Sequence, residues 1–223
     1  MSIPSSSDDT LLATQAFQAF RHLLATGQVR AGQMVSMAEL MKLSDFPLAP
    51  VREAVKRAAA AGLVSILPKR GVLVLEATTE ALRECFQLRC VFDQEGARIL
   101  ASCAKQPALE SLRDKHEKIL EQAQSGLVTT ALQIQAMEVD WALHRYLAQA
   151  LQNRSAMTIY EENCDRINVL QHSRRPLPER IVPAMKEHLQ ILDTLQAGNP
   201  EAAMQAVRHH LAQTLRWWGA VDD

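Results

Sequence analysis

The chain has 223 residues, 48% of them hydrophobic, and a formal net charge of −1 at pH 7. This length suffices for one large or two small domains with real hydrophobic cores, and so small a net charge favours no particular kind of partner. The sequence has no run of about 18 apolar residues, and its first ten residues have neither a basic region nor an apolar stretch. We therefore expect no membrane span, no signal peptide and a cytoplasmic location.

The cysteines carry no metal-binding or disulfide signature. Cys85, Cys90, Cys103 and Cys164 are scattered, without a C-x-x-C spacing. Isolated cysteines in such a chain are usually small buried hydrophobic residues. We predict four free thiols with a packing role.

Two helices are predicted before residue 47. Apolar residues recur at helical spacing over residues 10–26, after the possible caps Asp8, Asp9 and Thr10. Residues 37–43 predict a short helix with Ser36 as its N-cap, and residues 44–47 form the turn that follows it.

A basic helix is predicted to begin near Leu48. Pro50 suits the first turn of a helix, where a missing N–H has no helical partner, and Gly62 provides a left-handed residue for the end. Apolar residues form one stripe; they are Val51, Ala54, Val55, Ala58 and Ala59. Arg52, Lys56 and Arg57 face away from it.

A hairpin follows this helix. Residues 63–67 and 72–75 are apolar and β-branched, and they flank the turn Pro68-Lys69-Arg70-Gly71. Residues 47–71 hold five Lys/Arg against one Glu, a local charge of +4, whereas residues 77–223 carry −3. A basic run is often only a solvated helix face, but the combination of basic helix, glycine stop and basic hairpin predicts a winged helix-turn-helix DNA-binding domain over residues 1–76.

The remainder is predicted to be helical. Residues 76–79 form a plausible linker, and breaks near residues 106–107, 125–126, 152–153, 176–178 and 198–200 divide residues 80–223 into about six helices. The fold class is thus mainly α, with a small β-hairpin wing followed by an all-α antiparallel helical bundle.

Four polar residues are predicted to point into this bundle. Asp140 and His144 are one turn apart on the same face of a helix, and His188 and His210 each lie on an otherwise apolar stripe. A single inward histidine is more often a hydrogen-bonded core residue than a metal ligand. Three helices that aim imidazole or carboxylate groups inward predict a divalent transition metal site, best suited to Zn²⁺, with Ni²⁺, Mn²⁺, Co²⁺ or Fe²⁺ as alternatives.

The sequence does not predict that the other histidines belong to this site. His22, His116 and His172 lie on mixed or polar stretches, and His209 lies about 100° around the helix from His210. Glu187 likewise lies about 100° off the face of His188.

Segments of both predicted domains resemble a known family. PVREAVKRAAAAGLV followed by LPKRGVLV is similar to the winged helix-turn-helix of GntR transcription regulators. The second domain resembles the FadR-type FCD branch of that family through Asp140-x-x-x-His144, Glu187-His188-x-x-Ile191 and Arg208-His209-His210-Leu211. The resemblance implies a homodimeric repressor that binds double-stranded operator DNA, with Asp140, His144, His188 and His210 as metal ligands that help to hold a small carboxylate effector.

Two arginines are candidates for the effector carboxylate. Arg89 falls where the resembled family often places an arginine, and a guanidinium fork suits a carboxylate. Arg166, in the predicted helix 156–171, either points into the effector cavity or faces solvent.

The DNA-binding segment departs from the resembled family at one place. Pro47-Leu48-Ala49 stands where that family commonly has Ser-Arg-Thr, so a cation and two hydroxyls are missing. We expect the DNA contacts to come from residues outside this triplet; they are Lys42, Arg52, Lys56, Lys69, Arg70 and Gly71.

Two alternatives differ in function. One is a regulator that responds to the metal alone, without an organic effector. The other is a metal-dependent enzyme that uses three histidines and one aspartate to activate water. The enzyme is the weaker alternative, because no further inward carboxylate is placed as a general base and the basic segment would have no role.

Overall fold

A computed structural model describes residues 6–103, 108–172 and 178–220. In chain order its helices and strands are α1 (Ser6–Ala25), β1 (Met34–Val35), α2 (Met37–Ser44), α3 (Leu48–Ala60), β2 (Val64–Leu67), β3 (Gly71–Val74), α4 (Thr79–Ala101), α5 (Leu109–Ser125), α6 (Thr130–Gln149), α7 (Arg154–His172), α8 (Ile181–Gln196) and α9 (Pro200–Trp217), with a 3-10 turn at Pro178–Arg180 before α8. The predicted break at 106–107 and most of that at 176–178 lie outside the described residues. The mainly α fold class is confirmed.

The chain divides into two compact units. The first holds the described residues up to Ala81 together with those of α7 from Glu162 onward, and the second holds the others. Val169 of α7 accordingly belongs to the hydrophobic core of the first unit. The sequence indicated no such division within this helix.

The helices of the first unit begin and end close to the predicted positions. Ser36 caps α2 by accepting a hydrogen bond from Glu39 N at 3.1 Å, as predicted. The basic helix α3 begins at Leu48, and Gly62 after it has φ +71°, the left-handed conformation expected of a glycine stop. The first helix begins at Ser6, four residues before the predicted start.

The wing is a three-stranded antiparallel sheet rather than a hairpin. Its strand order is β1-β3-β2, because Met34 and Val35 pair with Leu73 and Val72. A two-residue strand is too short to show an alternation of apolar and polar residues, so the sequence did not predict β1. Gly71 has φ +115°, and a Cβ there would lie 2.7 Å from Val35 O, so β1 requires glycine at this position.

The second unit is the predicted helical bundle; among the described residues it holds α5, α6, α8 and α9, most of α4 and the first part of α7. Helix α8 packs against α5, α6 and α9, and fully buried leucine and isoleucine side chains join these helices. No helix among the residues described is long and apolar enough to cross a membrane.

The cysteines are free thiols, as predicted, but they are not all buried. Cys85, Cys90 and Cys164 are buried and Cys103 is exposed. Burial and the nearby Asp93 raise the pKa of the Cys90 thiol to about 11, so this group stays protonated and packs as a small apolar side chain.

Candidate functional site

Four side chains of the second unit converge in its interior. Asp140 and His144 come from α6, His188 from α8 and His210 from α9, and one ligand atom of each lies within 4.8 Å of the others. The three histidines are at most 4% exposed, and the Asp140 side chain is 24% exposed. We call these residues the four-ligand cluster.

The distances within the four-ligand cluster fit a transition metal ion. His188 Nε2 lies 3.3 Å from His210 Nε2 and 3.5 Å from Asp140 Oδ1, and His144 Nε2 lies 3.8 Å from Asp140 Oδ2. Two nitrogen ligands at about 2.1 Å from a tetrahedral zinc ion are about 3.4 Å apart. The donor set, three imidazoles and one carboxylate, also matches the preference of Zn²⁺ and its neighbours in the first transition row.

Carboxylates orient two of the three imidazoles. His144 Nδ1 donates to Asp93 Oδ2 of α4 at 2.8 Å, and His210 Nδ1 donates to Glu187 Oε2 of α8 at 2.7 Å. These bonds fix the proton on Nδ1 and leave Nε2 with a lone pair toward the cluster, as a metal-binding histidine requires. Arg180 in turn donates through both terminal nitrogens to Glu187.

The electrostatics keep the imidazoles of His188 and His210 neutral and the carboxylates of Asp140 and Glu187 ionised. Burial, opposed by the hydrogen bond to Glu187, lowers the pKa of His210 to about 4, and burial and the neighbouring histidines lower the pKa of His188 well below 6.5. Although burial acts to raise the pKa of Asp140, electrostatic interactions with His144 and Arg89 outweigh it and lower that pKa. The pKa of Glu187 is lowered because hydrogen bonds from His210 and Arg180 outweigh its burial. Neutral imidazole and ionised carboxylate are the forms that bind a metal.

His116 also reaches this region, contrary to the expectation from the sequence. It is 0% exposed, and its ring centroid lies 5.2 Å from that of His188, with the ring planes at 80°. It lies on the inward stripe of α5 with Leu109, Leu112 and Ile119. The charged residues around it made the stretch look polar, and the i, i+3, i+7 spacing of this stripe was the signal that could have found it.

Arg89 is placed beside the four-ligand cluster. It is 3% exposed, and its guanidinium lies 3.7 Å from Asp93 Oδ2 and 3.8 Å from Asp140 Oδ2, both longer than a hydrogen bond. The guanidinium carbon also stands 5.0 Å from the ring centroid of Phe86. A buried cation held loosely between two carboxylates retains donors for a further anion.

Arg166 is not brought to the four-ligand cluster. It belongs to the first unit, and its Nε lies 3.7 Å from the position that a Cβ on Gly62 would occupy. Helix α7 runs 19 residues, and its residues from Glu162 onward, with the half-buried Arg166, belong to the first unit. A role for Arg166 in effector binding stays a prediction.

The basic residues of the first unit lie at its surface. The side chains of Lys42, Arg52, Lys56, Lys69 and Arg70 are all exposed, and Gly71 is half-buried. Lys56 pairs with Glu53 at 2.7 Å, whereas Arg57 donates to Thr14 Oγ1 of α1 at 3.2 Å and thereby joins two helices. Lys69 has φ +62°, so the wing turn holds a non-glycine residue in the left-handed region.

Comparison with known proteins finds a matching family model for each of the two units. Residues 12–74 match the model of bacterial regulatory proteins of the gntR family, and residues 84–213, more than half of the chain, match the FCD domain. The chain belongs to the GntR family, and its second domain is an FCD domain. It is therefore a DNA-binding transcriptional regulator and not an enzyme, which removes the hydrolytic alternative.

The chain resembles individual relatives along most of its length. It is 26% identical over 209 residues to a "Probable D-xylose utilization operon transcriptional repressor" of Paenarthrobacter nicotinovorans, covering 92% of this chain and 88% of the relative. It is 21% identical to the "Uncharacterized HTH-type transcriptional regulator YdhC" of Bacillus subtilis, covering 88% and 86%. The solved structure of E. coli McbR/YncC superimposes with a TM-score of 0.72 at 17% identity, covering 92% of this chain and 95% of that one, and so shares the fold.

Proposed function

We propose that this GntR regulator is a repressor whose operator affinity is set by a small carboxylate held at a metal site in the FCD domain. The observation that carries the proposal is the four-ligand cluster, in which His144 and His210 are already held in the metal-binding tautomer by Asp93 and Glu187. We assign DNA binding to residues 1–76 and effector binding to residues 80–223. Zn²⁺ is the metal that the donor set favours, with Ni²⁺, Mn²⁺, Co²⁺ and Fe²⁺ as alternatives.

Charge balance supports an anionic effector. The charged groups in and around the four-ligand cluster are Arg89, Arg180, Asp93, Asp140 and Glu187. Their formal charges sum to −1, so a bound divalent cation would bring the net charge of this interior to +1. Because uncompensated charge in a protein interior is costly, one carboxylate is the complement that neutralises the site.

Arg89 is the residue we assign to the effector carboxylate. Its two present carboxylate neighbours lie beyond hydrogen-bond distance, and its guanidinium carbon lies 5.0 Å from the ring centroid of Phe86 and 6.0 Å from that of Trp141. A planar guanidinium that is already oriented binds a carboxylate through two parallel hydrogen bonds. The metal, when bound, would supply a Lewis-acidic site that attracts the effector anion.

DNA recognition is assigned to α3 and the wing of a homodimer. The contacts proposed are those of the exposed cations Lys42, Arg52, Lys56, Lys69 and Arg70, together with the Gly71 backbone. A dimer with two-fold symmetry would place two α3 helices on half-sites about one helical turn of DNA apart. The relative of Paenarthrobacter nicotinovorans that is named as a repressor supports the same direction of control here.

Metal and carboxylate binding by purified protein test the effector site. Equilibrium dialysis with Zn²⁺ and calorimetric titration with a panel of small mono- and dicarboxylates should give one metal per chain and carboxylate binding that requires the metal. The substitution His144→Leu should abolish both, whereas His209→Leu, which alters an exposed histidine beside His210, should change neither. Metal binding with no carboxylate response across the panel would favour the regulator that responds to metal alone, and no metal binding would refute the proposal.

A further inference from the structure

Besides His144 Nε2, which is one of the proposed metal-ligand atoms, two buried ring nitrogens near the four-ligand cluster have no hydrogen-bond partner among the described residues. They are His188 Nδ1 and His116 Nε2. Both side chains are 0% exposed, so water does not substitute freely for a protein partner. A buried polar atom without a hydrogen-bond partner is energetically unfavourable, and two of them on neighbouring rings call for a common explanation.

His116 can only accept at its second nitrogen. Its Nδ1 lies 2.7 Å from Leu112 O, one turn earlier on α5. A carbonyl oxygen accepts and never donates, so Nδ1 carries the proton. The Nε2 atom of this neutral imidazole is then a lone pair that needs a donor.

His188 becomes a donor at Nδ1 when its Nε2 binds a metal. Coordination takes the Nε2 lone pair, so the ring proton must lie on Nδ1. Of the three histidines in the four-ligand cluster, His144 and His210 have carboxylate acceptors for that proton. His188 alone of the three has none among the described residues.

The same ring has a second arrangement that leaves Nδ1 without a proton. His188 Nε2 lies 3.3 Å from His210 Nε2. The His210 Nε2 atom carries a lone pair and no proton, because the proton of that ring is on Nδ1, which donates to Glu187. His188 can therefore donate from Nε2 to His210. In this arrangement neither His188 Nδ1 nor His116 Nε2 carries a proton, so no hydrogen bond can join the two atoms.

We propose that His116 is the positioning residue for His188, accepting a hydrogen bond from His188 Nδ1 in the metal-bound site. The two ring centroids are 5.2 Å apart, about the separation of two imidazoles joined by one N–H···N bond. Metal binding thus moves the proton of His188 from Nε2 to Nδ1 and links α8 to α5 through His116 and Leu112 O. The inference rests on the metal site proposed above and adds α5 to the helices that respond to it.

Histidine-selective ¹H–¹⁵N spectra of the full chain test the tautomer change. With added Zn²⁺, His188 should carry its proton on Nδ1 and show a scalar coupling through the hydrogen bond to His116 Nε2; after removal of zinc by a chelator, the His188 proton should be on Nε2. A His116 Nε2 resonance shifted by direct zinc coordination would overturn the proposal, as would a Zn²⁺-loaded His188 whose Nδ1 proton has no coupling to His116.

Substitutions give an independent test. His116→Leu removes the acceptor and should weaken Zn²⁺ affinity in a chelator competition by about 10–100-fold, and His116→Gln, which keeps an acceptor oxygen, should recover most of the loss. His172→Leu is the matched control, because exposed His172 makes the same bond to a carbonyl one turn back, with Nδ1 2.9 Å from Asn168 O, in the other unit. Wild-type affinity in His116→Leu, or equal losses in the Leu and Gln variants, would contradict the proposal. Failure of the wild-type chain itself to bind Zn²⁺ would instead refute the proposed function.

Discussion

Residues that orient the histidines come from two different places in the chain. Asp93 lies 51 positions before His144, and Glu187 is the immediate neighbour of His188 but accepts a hydrogen bond from His210 of α9. The sequence correctly placed Glu187 off the face of His188. It could not say that this off-face direction leads to α9, because helical periodicity fixes the direction of a side chain but not the helix that it meets.

A buried neutral histidine makes the metal-free protein sensitive to acid. Burial lowers the pKa of His210 to about 4, so between that value and about 6.5 the unfolded chain binds more protons than the folded chain. The free energy of unfolding should therefore fall as the pH decreases through this window, by up to about 1.4 kcal/mol per pH unit from this ring. We expect His210→Gln to flatten the dependence measured by urea unfolding at pH 7, 6 and 5 in the presence of a chelator.

The neighbouring residue provides the control for this prediction. His209 is exposed, so His209→Gln should retain the pH dependence of the wild type. If His210→Gln and wild type lose stability equally between pH 7 and pH 5, the neutral state assigned to His210 is wrong.

At the scale of elements, the position of the site depends on a close contact between α4 and α6. A Cβ on Gly96 would lie 1.9 Å from Leu147 O, so only glycine allows these two backbones to approach. Helix α4 carries Arg89 and Asp93, and α6 carries Asp140 and His144. The contact therefore sets the separation between the metal-ligand helix and the helix that orients it.

Gly96→Ala should separate α4 from α6 and destabilise the FCD domain. We expect a loss of about 3 kcal/mol or more in the free energy of unfolding, because backbone atoms must move to remove the overlap. Gly126→Ala is the control, since a Cβ there meets nothing within 4 Å, and it should change stability by less than about 0.5 kcal/mol. Equal stabilities for the two variants in urea unfolding would show that α4 and α6 are not in the described contact.

The wing gives the element-scale prediction for DNA binding. Arg70 is exposed at the turn between β2 and β3, and Arg70→Ala should reduce the slope of log K against log salt by about one unit if it neutralises one phosphate. Lys69 is a less suitable site, because its φ of +62° lies in the left-handed region, where a substitution can also change the conformation of the turn. The measurement is fluorescence anisotropy of a labelled operator, selected from random DNA, at several salt concentrations.

A cation in the other unit serves as the control for the wing. Lys118 of α5 is exposed, and Lys118→Ala removes the same charge from the chain but should leave the salt slope unchanged. Parallel slopes for wild type, Arg70→Ala and Lys118→Ala would exclude the wing from the DNA contact.

At the scale of the whole molecule, local patterns predicted much of the organisation. Ser36, Pro50 and Gly62 act through their own backbone neighbours, so caps, starts and stops of helices were readable from short segments. Features that depend on contacts between distant segments were not: the strand β1 forms only by pairing with β3, and the last turns of α7 take Arg166 into the first unit. His116 was missed for a related reason, since its burial comes from the helices packed around α5.

The central claim is that metal and carboxylate together control operator binding, and the operator affinity of the full chain tests it most directly. Anisotropy titrations of the selected operator should be made with chelator, with Zn²⁺ alone, and with Zn²⁺ plus the carboxylate that binds most tightly in calorimetry. Because a ligand shifts an equilibrium only through unequal affinity for its two states, we predict that the carboxylate weakens DNA binding by about 10-fold or more in wild type and has no effect in His144→Leu. An operator affinity that is the same in all three conditions would contradict the account.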